Sequence, residues 1–315
     1  MAVEEAGTSR RKWMVGPTRE DPYAWIAEEA RERSILTKTF EPKFTVVEER
    51  MEEDPENWAA YVLKEGQRVY SDFGEHRFAM YEFVFEKLGV RMPFSEFAMA
   101  VFDHLHLAPS QLNPNSIGFI WAYELVCKHQ KIVPSVPVFF VIFQIQRKSK
   151  GGRQCWVSLK SKVKLFEMFV DSVCGFKSRY YIVGAVSEEA KKSLYRTVTE
   201  EVNGEQVSRL KPKFPLSWTF DHFLNWTDSY LTKVGGLSEQ ERADLKRLQN
   251  WVDSFVLGPC VYKMVVDGKR VTVPYLGKDG KQVFAPRFID TKRLLSCKSD
   301  AARQILLDQM AQEGT

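Results

Sequence analysis

The sequence predicts an α+β fold, predominantly helical with a small antiparallel sheet. Three observations predict it. Apolar residues recur at helical spacing behind capping residues in several stretches, β-branched and aromatic runs cluster in only two places, and turns rather than helices separate those runs. The 315 residues are 44% hydrophobic and 13% aromatic, enough for a sizeable core. The formal net charge of +4 is too small by itself to imply a nucleic-acid partner.

The elements follow in order. "DPYAWIAEEARERSIL" predicts a helix with Asp21 as N-cap and Pro22 at its first position. "DPENWAAYVLKEG" repeats that start at Asp54-Pro55 and stops at Gly66. "PFSEFAMAVFDHLHL" has Ser95 as N-cap, with Phe94, Phe97, Val101, Phe102 and Leu105 at helical spacing. Pro109 ends that helix, and Asn113-Pro114 begins the next, whose apolar face is Ile117, Ile120, Trp121 and Leu125. Strands are expected near 138–146 ("VFFVIFQIQ") and 154–160 ("QCWVSLK"), a hairpin closed by the turn-rich "RKSKGGR", with a third strand near 178–185. "SEQERADLKRLQNWVDSFVLGP" has a capping box, Ser238 to Glu241, and Leu245, Leu248, Val252 and Phe255 on one face. Asp267-Gly268 and the following "GKDGKQVF" predict β-hairpins near 261–284, and Ser299 caps a final helix.

Charge divides the chain. Residues 1–60 hold 14 acidic against 9 basic residues, whereas 125–166 hold nine Lys/Arg and no Asp or Glu. Three regions are expected: an acidic, helical N-terminal extension (1–67), a central domain (68–259), and a C-terminal region of hairpins and one short helix (260–315). The cysteines at 127, 155, 174, 260 and 297 are odd in number and far apart, which points to a reduced, intracellular protein of the cytoplasm or nucleus. The first 20 residues have no apolar stretch, so no secretory signal is expected, and the run 136–145 is too short to span a membrane.

Chemistry is hard to place. His104 and His106 would diverge by about 200° on a helix and cannot share an ion, so no metal site is expected. Asp103-His104 and Asp221-His222 are sequence neighbours that diverge on a helix, so neither is a ready-made dyad. No nucleophile elbow, phosphate loop or dinucleotide fingerprint occurs, and no cofactor is expected. The acid-free stretch is the best physical lead. Arg147, Lys148, Lys150, Arg153, Lys160, Lys162 and Lys164 lie there with Trp156 among them, the residue types that phosphate neutralisation and base stacking need. The same lysines equally suit a soluble hairpin tip and edge strand.

"LGVRMPFSEF", "LAPSQLNPNS", "FFVIFQIQ" followed by "CWVSLK", "GFKSRYYIV", "FPLSWT" and "LSEQE" together resemble the plant domain family described as putative gypsy-type transposon, over about residues 68–257. The resemblance implies a sequence derived from long-terminal-repeat retrotransposons and supplies no catalytic residues. Family members often continue into a coiled coil, while 260–315 here read as hairpins and a helix. The element enzymes leave no trace. No D…D-x35-E frame, Y-x-D-D, D-[ST]-G or zinc knuckle is present; the cysteines lie at least 19 residues apart. The expectation is therefore a non-enzymatic, Gag-like structural or protein-interaction module, contacting itself or a protein partner and no membrane. The alternative is a nucleic-acid-binding protein using the stretch 147–164.

Overall fold

A computed structural model describes residues 14–37, 57–202, 205–255 and 257–312. The first strands are β1 (Trp58–Tyr61) and β2 (Arg77–Tyr81), and four helices follow: α1 (Glu82–Glu86), α2 (Glu96–Leu105), α3 (Pro114–His129) and α4 (Val136–Ile142). The hairpin β3 (Phe143–Lys150) and β4 (Arg153–Ser161) precedes β5 (Tyr180–Ala185) and α5 (Glu188–Ser193). A second hairpin, β6 (Tyr195–Val202) and β7 (Glu205–Pro212), leads to α6 (Asp221–Leu224) and α7 (Glu239–Asp253). The chain finishes with β8 (Gly258–Pro259), β9 (Val261–Val266), β10 (Lys269–Pro274), β11 (Phe284–Ala285), α8 (Thr291–Ser296) and α9 (Asp300–Gln312).

At 34% helix and 25% strand the protein is mixed α+β, and the expected helical predominance is incorrect. Two predicted N-terminal helices account for much of the excess. In the first, Tyr23 N–H donates to Asp21 Oδ1, but the chain then forms only a 3-10 turn, Glu28–Ala30. Trp25, Ile26 and Ala27 are consecutive and all buried, which one helix face cannot achieve. They run beside β4 instead: Gln154 N–H donates to Trp25 O (2.7 Å) and Ala27 N–H to Gln154 O (2.8 Å). In the second, Trp58–Tyr61 pairs antiparallel with β5. Its expected cap, Asp54-Pro55, lies outside the described residues.

The strand expected near 138–146 is also corrected. Ser135 Oγ caps α4, Pro137 sits in its first turn, and extended structure begins only at Phe143. Periodicity cannot separate helix from strand in a run that is apolar throughout. The strand expected near 178–185 exists, but not beside β3–β4. It is the centre of a separate sheet of order β1-β5-β2, and all six of its residues are buried. The hairpin at 154–160 and the one closing at Asp267-Gly268 stand as expected.

Capping residues set the helix boundaries. Ser95 Oγ accepts from Ala98 N–H, Asn113 Oδ1 from Asn115 N–H, and Ser238 forms a capping box with Glu241. α3 is buried on most sides and forms the central post of the molecule. Its Gly118 admits Leu88 and Leu295, each within 3.6 Å of where a Cβ would stand. One hydrophobic core runs from Trp25 to Met310. Among the described residues no helix is long and apolar enough to cross a membrane.

The bend between α2 and α3 holds buried polar groups, each with a partner. Tyr81 OH donates to Ser110 O (3.1 Å) and accepts from Trp156 Nε1 (2.6 Å), joining β2, the bend and β4. Tyr81→Phe strands both partners and should lower unfolding free energy by about 1–3 kcal/mol, read from urea midpoints. Glu124 on α3 is a separate case. Burial raises its carboxyl pKa to about 7, against the opposing pull of the Ser95 hydroxyl. The folded state therefore holds this proton more tightly than the unfolded chain, and stability falls as pH climbs from about 4.5 to about 7. Glu124→Gln should raise the urea midpoint at about pH 8 and leave it unchanged at about pH 4.5.

Candidate functional site

The basic stretch divides by role. Arg147 is half-buried: Nε donates to His222 Nε2 (3.1 Å), Nη2 to His222 O (2.7 Å) and Nη1 to Asn225 O (2.8 Å). Its guanidinium also lies 5.4 Å from the centre of the Phe223 ring. His222 Nδ1 lies 2.6 Å from Leu105 O. With Arg147 donating to Nε2, the imidazole proton sits on Nδ1 and the ring is neutral. Burial first, then the Arg147 charge, pushes its pKa down to about 3. Tyr230 stacks on that ring at 4.6 Å, and His104 Nε2 lies 2.8 Å from Tyr230 O. His106 ends α2 in a left-handed conformation (φ 50°), and its ring meets the Tyr230 ring edge-on at 6.2 Å. His222 thus ties the segment 220–230 to β3 through Arg147 and to α2 through Leu105 O, and His104 adds a second tie from α2. Among the described residues no group of three or more His, Cys, Asp or Glu is placed to hold a metal ion.

Lys150 pairs with Glu29 (3.2 Å), and Arg153 Nε donates to Ala24 O (2.9 Å), so both fasten the hairpin tip to the N-terminal segment. Lys162 is exposed, and its backbone N–H binds Ile142 O. Lys148, Lys160 and Lys164 come together instead at the rim of a cleft of about 770 Å³. Lys177 joins them, with its ammonium 5.2 Å from the Trp156 ring centre. The floor is the outer face of β3–β4, where Gln146 pairs with Ser158 and Gln144 with Lys160. One wall is the start of α3, with Asn113, Asn115, Ser116 and Phe119; the other is the segment 164–177 with Phe166, Met168 and Phe176. The acid-free run ends before Glu167 and Asp171, and for that reason it does not reveal Lys177.

A second surface is the hairpin β9–β10. Asp267 and Gly268 take φ 50° and 73°, the two positive values its tight turn requires. Register places Tyr262, Met264 and Val266 opposite Val273, Val271 and Lys269. One face is thus almost wholly apolar, and the other mixes Val261 and Val265 with Lys263, Arg270 and Thr272. Tyr262, Met264, Val265 and Val266 are all exposed, Val265 at 64%. Tyr275 and Leu276 extend the apolar surface past the strand.

Residues 81–147 match the family described as putative gypsy type transposon. The matched segment begins at the last residue of β2 and ends at Arg147, taking in α1 to α4 and the buried bend between α2 and α3. Lys148, Lys160, Lys164, Lys177 and the hairpin β9–β10 all lie beyond it. No curated protein and no solved structure matches the chain.

Arg147→Ala leaves His222 Nε2 without its donor inside the fold and takes one of two donors from His222 O, the other being Tyr230 OH. Expected is a loss of about 2–3 kcal/mol in unfolding free energy, with Lys148→Ala as a near-neutral control in the same denaturation series.

Proposed function

We propose that this chain is a non-catalytic, Gag-like structural module of retrotransposon origin that works by protein–protein contact. The apolar hairpin β9–β10 carries the reading. A two-stranded hairpin with both edges open and an apolar face in water is marginally stable by itself. Covering that face contributes roughly 25 cal/mol per Å² of apolar surface removed from water. The match to the gypsy-type family supports the origin, and the absence from the sequence of the element-enzyme frames supports a non-catalytic role. The five unpaired cysteines support an intracellular setting.

Size-exclusion chromatography with light scattering tests the contact. Wild type should exceed monomer mass in the tens of micromolar range, and Tyr262→Ser with Met264→Ser should return it to monomer with an unchanged thermal midpoint. A wild type that stays monomeric throughout that range removes self-association from the proposal. A second reading rests on the gathering of Lys148, Lys160, Lys164 and Lys177 around one cleft: the protein binds polyanions there.

A further inference from the structure

We infer that the cleft beside β3–β4 is a binding site for single-stranded nucleic acid, with lysines on the phosphates and the polar floor and partly apolar walls receiving a base. This rests on the polyanion reading and narrows it.

Charge is the first argument. Among the described residues none of Lys148, Lys160, Lys164 and Lys177 lies at ion-pair distance from a carboxylate, whereas Lys150 close by is paired with Glu29. Four ammonium groups gathered on one rim repel one another, and an anion between them relieves that repulsion. Glu167 and Asp171 line the cleft too, which leaves the site with a positive excess. The start of α3 adds the positive end of a sixteen-residue helix. It has few donors to offer: Pro114 has no N–H, Asn115 N–H binds Asn113 Oδ1, and Ser116 N–H binds Asn113 O. Phosphate oxygens must therefore be held by the lysines.

Shape and lining are the second argument. Lys148 stands four residues from Gln144, the cross-strand partner of Lys160, so the two lysines are about 13 Å apart along one face. Between them lies the Gln146–Ser158 pair, an amide and a hydroxyl able to meet a base edge. A ligand that were phosphate alone would make no use of the half-exposed Met168 or of the edges that the otherwise buried Phe119, Trp156, Phe166 and Phe176 present to the cleft. A volume of about 770 Å³ suits a nucleotide-sized group. Bases stacked inside a duplex cannot reach this floor, while a single strand can turn them outward.

The test is fluorescence anisotropy of the full chain with a short labelled single-stranded oligoribonucleotide over a salt series. Its comparison ligands are a duplex of the same sequence and an abasic strand of the same length. Four lysines on a single strand predict a slope near −3 in log affinity against log salt, at about 0.7 per phosphate. Lys148→Glu with Lys160→Glu should weaken binding more than tenfold and flatten the slope, as should the milder Lys148→Gln with Lys160→Gln. Lys278→Glu with Lys281→Glu, in the turn beyond β10, should change neither. The duplex and the abasic strand should each bind at least tenfold more weakly than the intact strand. If all three ligands bind alike and all lose affinity in the cleft variants, the single-strand assignment is overturned and the polyanion reading stands. Absence of binding at low salt, or binding indifferent to the cleft substitutions, overturns both.

Discussion

The buried polar bend between α2 and α3 is the constraint on which the rest of the structure depends. Gln111 is wholly buried, and its side chain accepts from Ala108 N–H and Thr219 N–H while donating to Thr219 O. Ser110 Oγ accepts from Trp218 Nε1, Asn115 exchanges two bonds with the Val170 backbone, and Ser116 Oγ accepts from Leu159 N–H. Apart from the local Ala108 bond, these bonds reach distant parts of the chain: the segment before α6, the cleft wall, or β4. An unsatisfied polar group in a dry interior costs more than a satisfied one contributes, so these partners specify one arrangement of the layers. A stretch that looks like a loop shaped for chemistry is in fact the joint of the scaffold.

That joint shows why parts of the fold were legible and others were not. α2, α3, α7 and α9 read correctly because their caps act within three residues of the chain and depend on nothing distant. The segment 21–36 carries an equally good local start, yet Trp25 lies among Trp218, Phe220 and Phe223, whose sequence distance hides them. Long-range burial outweighs a propensity difference of a few tenths of a kcal/mol per residue. β6–β7 is a hairpin that the expected elements do not include. Two alternating runs flank Asn203-Gly204 in the sequence, a strong local hairpin signal.

The basic stretch was legible as a composition and not as a surface. Nine cations without an acid describe what lies along the chain, while pairing and burial decide which of them face outward. Arg147 has its donors consumed by His222 and Asn225, and Arg153 is spent on Ala24 O. Lys177 comes from a different segment and reaches the same cleft because the 164–177 wall packs beside the hairpin. The contacts of His104 and His106 with Tyr230 span more than a hundred residues and leave no trace in the local sequence.

The irregularity in the β3–β4 ladder has a mechanical consequence. Lys148 alone faces both Cys155 and Trp156, so β4 uses one residue more than β3 between the Arg147–Val157 and Ser149–Gln154 pairs. Below that point the register orients Gln146, Ser158 and Lys160; above it, the tip answers to the N-terminal segment through Gln154. The two halves are insulated from each other. A change of length at the Gly151-Gly152 turn can be absorbed where the ladder is already uneven, without rotating the lower lysine out of the cleft.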